Sequence, residues 1–260
     1  LLAAGGVTEM RVVAIIQARM TSTRLPGKVL KLASGRTMLE RMCERVKQAK
    51  TIDQVVVATT TAPVDDAIVR VCRKIKISVY RGSLQDVLDR YYQAALEYKA
   101  DVVVRLTADC PLIDPVLIDD VVNALMVNQA DFACNRLPPP FTRTYPIGLD
   151  VEACTTSALA DAWQHASQKN EREHVLPYLY AVPGRFKVVQ LNHSPDLGHL
   201  RWTLDTPEDL ILLRRIYRYF SGRNDFTWLD VLRLQQEKPA LFTVNAQVIH
   251  KTYLDSEKAR

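Results

Sequence analysis

The chain has 260 residues, 48% hydrophobic and 24% charged, with a formal net charge of +5. These values belong to a folded globular protein and exclude an intrinsically disordered, collagen-like or low-complexity chain. So small a basic excess is far from a polybasic composition, and it leaves nucleic acid, an anionic membrane or a phosphorylated small molecule as partners to be separated by where the charge sits.

In chain order, residues 11–17 (RVVAIIQ) form a β-branched run that ends in a polar loop and predicts a buried strand. Residues 37–50 carry apolar side chains at helical spacing, opened by Thr37 with Glu40 three positions on, a capping box. A second strand is expected over 54–59, a helix over 63–74, a third strand over 77–80, a helix over 84–98, a fourth strand over 101–106 and a helix over 115–128. Such alternation predicts a mostly parallel sheet with helices on both faces, an α/β Rossmann-like fold. Beyond Ala130 the pattern changes: residues 137–146 hold four prolines and read as a long loop that orders on binding. Strands are expected over 149–154 and 186–191, and helices over 157–168, 207–220 and 227–237. The economical division is one domain over 10–240 with a subregion around 131–202, followed by a tail over 241–260. Met10 directly precedes the first strand and is read as lying near the start, with residues 1–9 a short extension.

Five cysteines at irregular spacing, with no CxxC, argue against a disulfide framework or a structural zinc site and favour a reducing cytoplasm. No apolar run approaches the roughly 20 residues of a membrane-spanning helix.

In a sheet of this kind, ligands bind at the carboxyl ends of the strands. The loop after the first strand, residues 18–28, holds Arg19, Arg24 and Lys28 among Thr21, Ser22, Thr23 and Gly27. Arginine forks and a lysine point charge suit phosphate oxygens, and hydroxyls with free backbone N–H groups complete an anion nest. Neither a Walker A motif nor GxGxxG is present, so P-loop and dinucleotide-binding readings lose ground. Asp109 follows the fourth strand, where a carboxylate beside a phosphate loop suits Mg²⁺. Asp205 ends a strand-like triplet, with Thr206 as N-cap, Pro207 at the first helical position and Glu208 and Asp209 complementing the helix dipole. Two separated carboxylates and a cationic loop fit metal-assisted nucleotidyl transfer.

The segment 17–28 (QARMTSTRLPGK) resembles the opening signature of the sugar-acid cytidylyltransferases, the CMP-KDO and CMP-sialic acid synthetases, and more closely their spore coat polysaccharide biosynthesis protein F branch. The resemblance continues in order through 80–83 (YRGS), 89–91 (DRY), 107–114 (TADCPLID), 148–152 (GLDVE), 171–175 (EREHV) and 204–209 (LDTPED). It implies a nucleotide-diphospho-sugar transferase fold, CTP as nucleotide, and Mg²⁺ at Asp109 and Asp205. It also implies triphosphate contacts at Arg19, Ser22, Arg24 and Lys28, with Ala18, Arg81, Asp89, Arg90 and Thr107 completing the nucleotide site. Where the sialic-acid and KDO enzymes commonly have Gly and an acidic residue or Gln, this chain has Ala108 and Cys110, which leaves the sugar open.

Candidate residues on the sugar side are Arg136, Gly148, Asp150, Glu152, Arg172, His174 and Arg201. The three arginines could grip a substrate anion, and His174, read as part of a charged helix start, could be a base or a hydrogen-bonding contact. Asp150 and Glu152, two apart on an expected strand, would share one face. The expected activity is Mg²⁺-dependent transfer from CTP to a sugar or sugar acid for surface polysaccharide, with no nucleic-acid or membrane partner and with the helices at 207–220 and 228–234 available to a homodimer. The alternatives are a metal-dependent glycosyltransferase of the same fold, which would use a DxD motif that Cys110-Pro111 does not supply, and a catalytically silent homologue.

Overall fold

A computed structural model describes residues 10–250. The extension at 1–9 and the last ten residues of the expected tail lie outside the described residues.

The elements are β1 (Val12–Gln17), β2 (Leu32–Ala33), β3 (Arg36–Thr37), α1 (Met38–Val46), β4 (Gln54–Thr60), α2 (Asp66–Lys74), β5 (Ser78–Gly82), α3 (Val87–Glu97), β6 (Val102–Thr107), α4 (Pro115–Val127), β7 (Phe132–Cys134), β8 (Glu152–Thr155), α5 (Thr156–His165), α6 (Lys169–His174), α7 (Pro177–Tyr180), β9 (Val188–Gln190), α8 (Pro207–Tyr219) and α9 (Trp228–Glu237). Seven strands form one sheet in the order β5-β4-β1-β6-β8-β7-β9, and β2 pairs with β3 in a short hairpin. Strands β5, β4, β1 and β6 are parallel, β8 runs antiparallel to both β6 and β7, and β9 is parallel to β7. This is the expected mostly parallel sheet, with one reversal at β8.

Both faces of β1 are apolar because both are covered. Val12, Ala14 and Ile16 enter one core with residues of α1, α2, α4, α8 and α9, whereas Val13 and Ile15 enter the other with α3, α5 and α7. The Thr37–Glu40 capping box opens α1 as expected. The helix expected from residue 63 begins as a 3₁₀ turn, Pro63–Asp65, before α2.

Sequence patterning overstates or misses the short elements. The strand expected from 149 starts at Glu152, the triplet at 202–204 forms no strand, the helix expected to start around 171–174 instead ends there as α6, and β7 and α7 go unforeseen. Three- to six-residue elements carry too few periods to register as strand or helix. The helix at 207–220, expected to be available to a homodimer, buries its Leu212, Leu213, Ile216 and Tyr217 fully in this chain's own core.

Part of the positive charge is structural. Arg41 and Arg45 are fully buried. Arg41 donates to the carbonyls of Ala33, Ser34 and Gly222, and Arg45 to those of Ile113 and Asn224. Each guanidinium thereby satisfies backbone oxygens that burial would otherwise orphan.

Candidate active site

The carboxyl ends of β1 and β6 bring the first loop and Asp109 side by side. The loop turns on one atom, the Met20 carbonyl, which accepts the N–H groups of Ser22 and Gly27 at 3.0 Å each. Leu25 and Val29 bury beneath it, leaving Arg19 and Arg24 exposed. Asp65 clamps the loop from below: it accepts the Met20 N–H at 2.7 Å and the Thr60 hydroxyl. Asp65 lies within the helix expected over 63–74, and sequence reading gave it no role of its own.

Asp109 follows β6, and its carbonyl accepts the Leu204 N–H at 2.8 Å and the Thr203 hydroxyl at 3.0 Å. That link brings the Asp205 segment alongside. Thr206 caps α8 as expected, and Asp209 completes a capping box with it. Asp209 does more than complement the dipole: fully buried, it accepts the Asp205 and Thr206 N–H groups and a two-pronged contact from Arg201.

The two acids converge on one cation. Lys28 Nζ lies 2.9 Å from Asp109 Oδ2 and 2.8 Å from Asp205 Oδ1. Arg24 reaches Asp205 Oδ1 at 3.2 Å and Arg201 reaches Oδ2 at 3.3 Å. Burial works against the Lys28 ammonium, but Asp109 and Asp205 outweigh it and raise its pKa. Burial likewise opposes the Asp109 carboxylate, and Lys28 with the Thr107 hydroxyl lowers its pKa.

This cluster sits at the seam of two cavities. One, of about 360 Å³, is lined by Ala18, Arg19, Ser22, Arg24, Lys28, Thr107, Asp109 and Asp205, so eight of the expected nucleotide and metal residues share a wall. The other, of about 230 Å³, is lined by Arg136, Gly148, Asp150, Glu152 and His174 from the sugar-side set. Arg24, Thr107, Asp109, His174 and Asp205 border both.

On the sugar side, Arg105 pairs with Glu152, and Arg143 grips both oxygens of Asp150. Arg136 stands less closely held, 3.7 Å from Asp150 and 3.9 Å from Glu152. Asp150 precedes β8, yet it shares this side with Glu152 as the spacing predicted. Gly148 has φ +106°, and a Cβ there would fall 2.7 Å from the Thr203 nitrogen, so only glycine fits against the strap that carries Asp205. His174 is the last residue of α6, not part of a helix start. Burial, then the nearby Arg105, lowers its pKa and favours the neutral ring.

Five expected residues, Arg81, Asp89, Arg90, Arg172 and Arg201, line neither cavity. Arg81 donates to the Thr60 and Ala62 carbonyls and pairs with Asp66. Asp89 accepts from Trp163, Arg90 is buried and donates to the Ser83 carbonyl, and Arg172 grips Asp86. Arg201 is held on Asp209 and Asp205. Conversely, Arg105, Tyr180 and His250 line the sugar-side cavity, and Arg143 holds its Asp150; all four were missed. A charged residue inside the apolar run of β6 was the available signal for Arg105; His250 had none.

The donor set bears on a metal. Among the described residues no group of three or more His, Cys, Asp or Glu could hold one. Two carboxylates that already share a cation, facing a cationic phosphate-type cavity, fit Mg²⁺, which takes one or two carboxylates with substrate phosphates, and do not fit zinc.

Comparison with known proteins gives the chain a family. A family model described as cytidylyltransferase matches residues 13–217. An uncharacterised protein of Methanocaldococcus jannaschii is 38% identical over 96% of this chain and 100% of its own length. The spore coat polysaccharide biosynthesis protein SpsF of Bacillus subtilis is 32% identical over 86% of this chain and 94% of its own. Among solved structures, a cytidylyltransferase of Leptospira borgpetersenii superposes with a TM-score of 0.85 at 36% identity, covering 93% of this chain and 100% of that one.

Proposed function

The chain belongs to the cytidylyltransferase family and resembles its spore-coat-polysaccharide branch, and from this we propose that it transfers the cytidylyl group of CTP to a sugar or sugar acid, with Mg²⁺ and release of pyrophosphate. The observation that carries the reading is the Lys28 bridge between Asp109 and Asp205 at the seam of two cavities. A transfer enzyme needs its cation cluster between a nucleotide half and an acceptor half.

The acceptor hydroxyl attacks the α-phosphorus in line, the bond to the β-phosphate bridging oxygen breaks, and pyrophosphate leaves. Such a reaction needs positioning and charge neutralisation more than covalent help. Arg19, Arg24 and Lys28 meet the β- and γ-phosphates, where charge grows as pyrophosphate departs. Ser22 and the loop N–H groups orient the triphosphate. Asp109 and Asp205 hold Mg²⁺, which supplies Lewis-acid charge to the phosphate oxygens. His174, neutral at pH 7, is placed to take the acceptor proton or hold its hydroxyl. Arg136, the least committed cation of the acceptor half, meets an acceptor anion.

The reading extends to surface-polysaccharide synthesis, which the printed role of SpsF supports, and to the cytoplasm, which the five free buried cysteines support. It also includes a homodimer, for which α9 offers the exposed Leu229; sedimentation checks it. The test of the activity is pyrophosphate release from CTP with Mg²⁺ and a panel of acidic and aminated sugars. Release is expected with one of these and is abolished by EDTA. No release with any acceptor, together with no CTP binding, overturns the reading.

A further inference from the structure

The family match ends at residue 217, and the chain beyond residue 240 reads in sequence as a tail. In the structure this segment turns back onto the site. Leu241 and Val244 pack against the core and Phe242 buries in it, while Arg215 donates to the Leu241 carbonyl at 3.2 Å. Apolar packing alone would secure the segment, yet it also carries a polar side chain into the interior. Asn245 is 4% exposed, and its amide nitrogen donates to Asp209 Oδ1 at 2.9 Å and to the Arg201 carbonyl at 3.3 Å. Five residues on, His250 lines the acceptor-half cavity, its Nδ1 3.3 Å from Arg201 Nη1.

These contacts meet on one pair. Arg201 and Asp209 hold each other through two prongs, at 3.0 and 2.7 Å, and Arg201 then reaches Asp205 Oδ2. Asn245 fixes both members, one by its carboxylate oxygen and the other by its backbone. A guanidinium so constrained presents one nitrogen to Asp205 and cannot swing across it.

We propose that the C-terminal segment is a working part of the active site, in which Asn245 is a positioning residue that sets Asp205 through the Arg201–Asp209 pair. The inference rests on the cytidylyl-transfer reading, because Asp205 is the carboxylate assigned there to Mg²⁺. Without Asn245, Asp209 loses a donor and Arg201 gains freedom to rotate onto Asp205 and compete for its oxygens.

The test is calorimetric titration of the full chain with CTP, once with Mg²⁺ and once with EDTA, for the unaltered chain and Asn245→Leu. The leucine keeps the volume and deletes the amide; Asn245→Ala repeats the comparison should leucine not be accommodated. The unaltered chain should bind CTP more tightly with Mg²⁺, and the variant should lose about tenfold of that gain, within the usual range of coupling between sites, with its EDTA affinity unchanged. An undiminished Mg²⁺ gain in the variant, or an equal fall in both affinities with a lowered melting temperature, overturns the inference and leaves Asn245 a packing residue. No CTP binding by the unaltered chain under either condition overturns the cytidylyl-transfer reading itself, and this inference with it.

Discussion

The Leu204 N–H donates to the Asp109 carbonyl at 2.8 Å, so the two acidic segments, 95 positions apart in numbering, are tied by their backbones before any side chain is considered. Their carboxylates therefore face each other as a consequence of the fold, and the balancing cation, Lys28, comes from a third segment.

Asp109→Asn and Asp205→Asn should each lower pyrophosphate release by about a hundredfold or more, the scale expected when charge stabilisation is removed from a transition state. CTP affinity measured in EDTA should be unchanged or higher, because fewer acids then compete for Lys28. A rate assay paired with calorimetry checks both; near-normal turnover would remove the acids from the mechanism.

Lys28→Gln leaves two carboxylates facing each other without their shared ammonium. The cost should be about 2 kcal/mol at neutral pH, less than for a fully buried pair because Asp109 and Asp205 side chains keep 28% and 14% exposure. With Lys28 gone, the Asp109 carboxyl titrates higher in the folded chain than in the unfolded one. The deficit should therefore shrink as pH falls toward the ordinary carboxylate range, and denaturant melts at several pH values will show it.

Burial alone would raise the Asp150 carboxyl, but Arg143 outweighs burial and lowers its pKa to about 2. The stability this pair contributes is complete above the ordinary carboxylate pKa near 4 and is lost as pH falls toward 2. Arg143→Met should flatten that limb of the pH–stability curve. In the enzyme assay it should raise the acceptor KM with little change in the CTP KM.

Gly148→Ala should destabilise the chain by about 2–4 kcal/mol, combining positive-φ strain with a Cβ driven into the Thr203 backbone. Because that backbone leads into Asp205, residual activity at low temperature should fall further than the folded fraction does. Thermal melting and activity on the same preparation separate the two effects.

Arg136→Leu should change stability by less than about 0.5 kcal/mol, since its partners stand at 3.7 and 3.9 Å and already have closer cations in Arg143 and Arg105. The acceptor KM should rise about tenfold, as expected when a charged hydrogen bond to substrate is removed. An unchanged acceptor KM would return Arg136 to a surface role.

The parallel half of the sheet was legible because β1, β4 and β6 are rich in β-branched residues, and α1 announces itself with a capping box and α8 with an N-cap threonine followed by proline. Arg19, Arg24, Lys28 and Asp109 were legible because a cationic, hydroxyl-rich loop and a carboxylate stand at strand ends. Asp205 was legible only once Thr206 and Asp209 had been assigned to the helix start. The remainder depended on tertiary contact. Arg172 and Arg81 have the side chains of anion binders, and nothing local reveals that Asp86 and Asp66 occupy them. Arg143 sits in a proline-rich loop and meets Asp150 only through the fold, and His250 arrives from a segment with no periodicity at all.

The Lys28 bridge also bears on the order in which ligands arrive. A lone divalent ion approaching Asp109 and Asp205 meets acids whose charge is already answered by Lys28, Arg24 and Arg201. Incoming phosphates would draw Lys28 and Arg24 away and uncover the carboxylates as the negative charge rises. On the proposed reading, the lysine acts as a placeholder that makes nucleotide and metal enter together, and initial-rate kinetics should show Mg·CTP as one substrate with little affinity for free Mg²⁺.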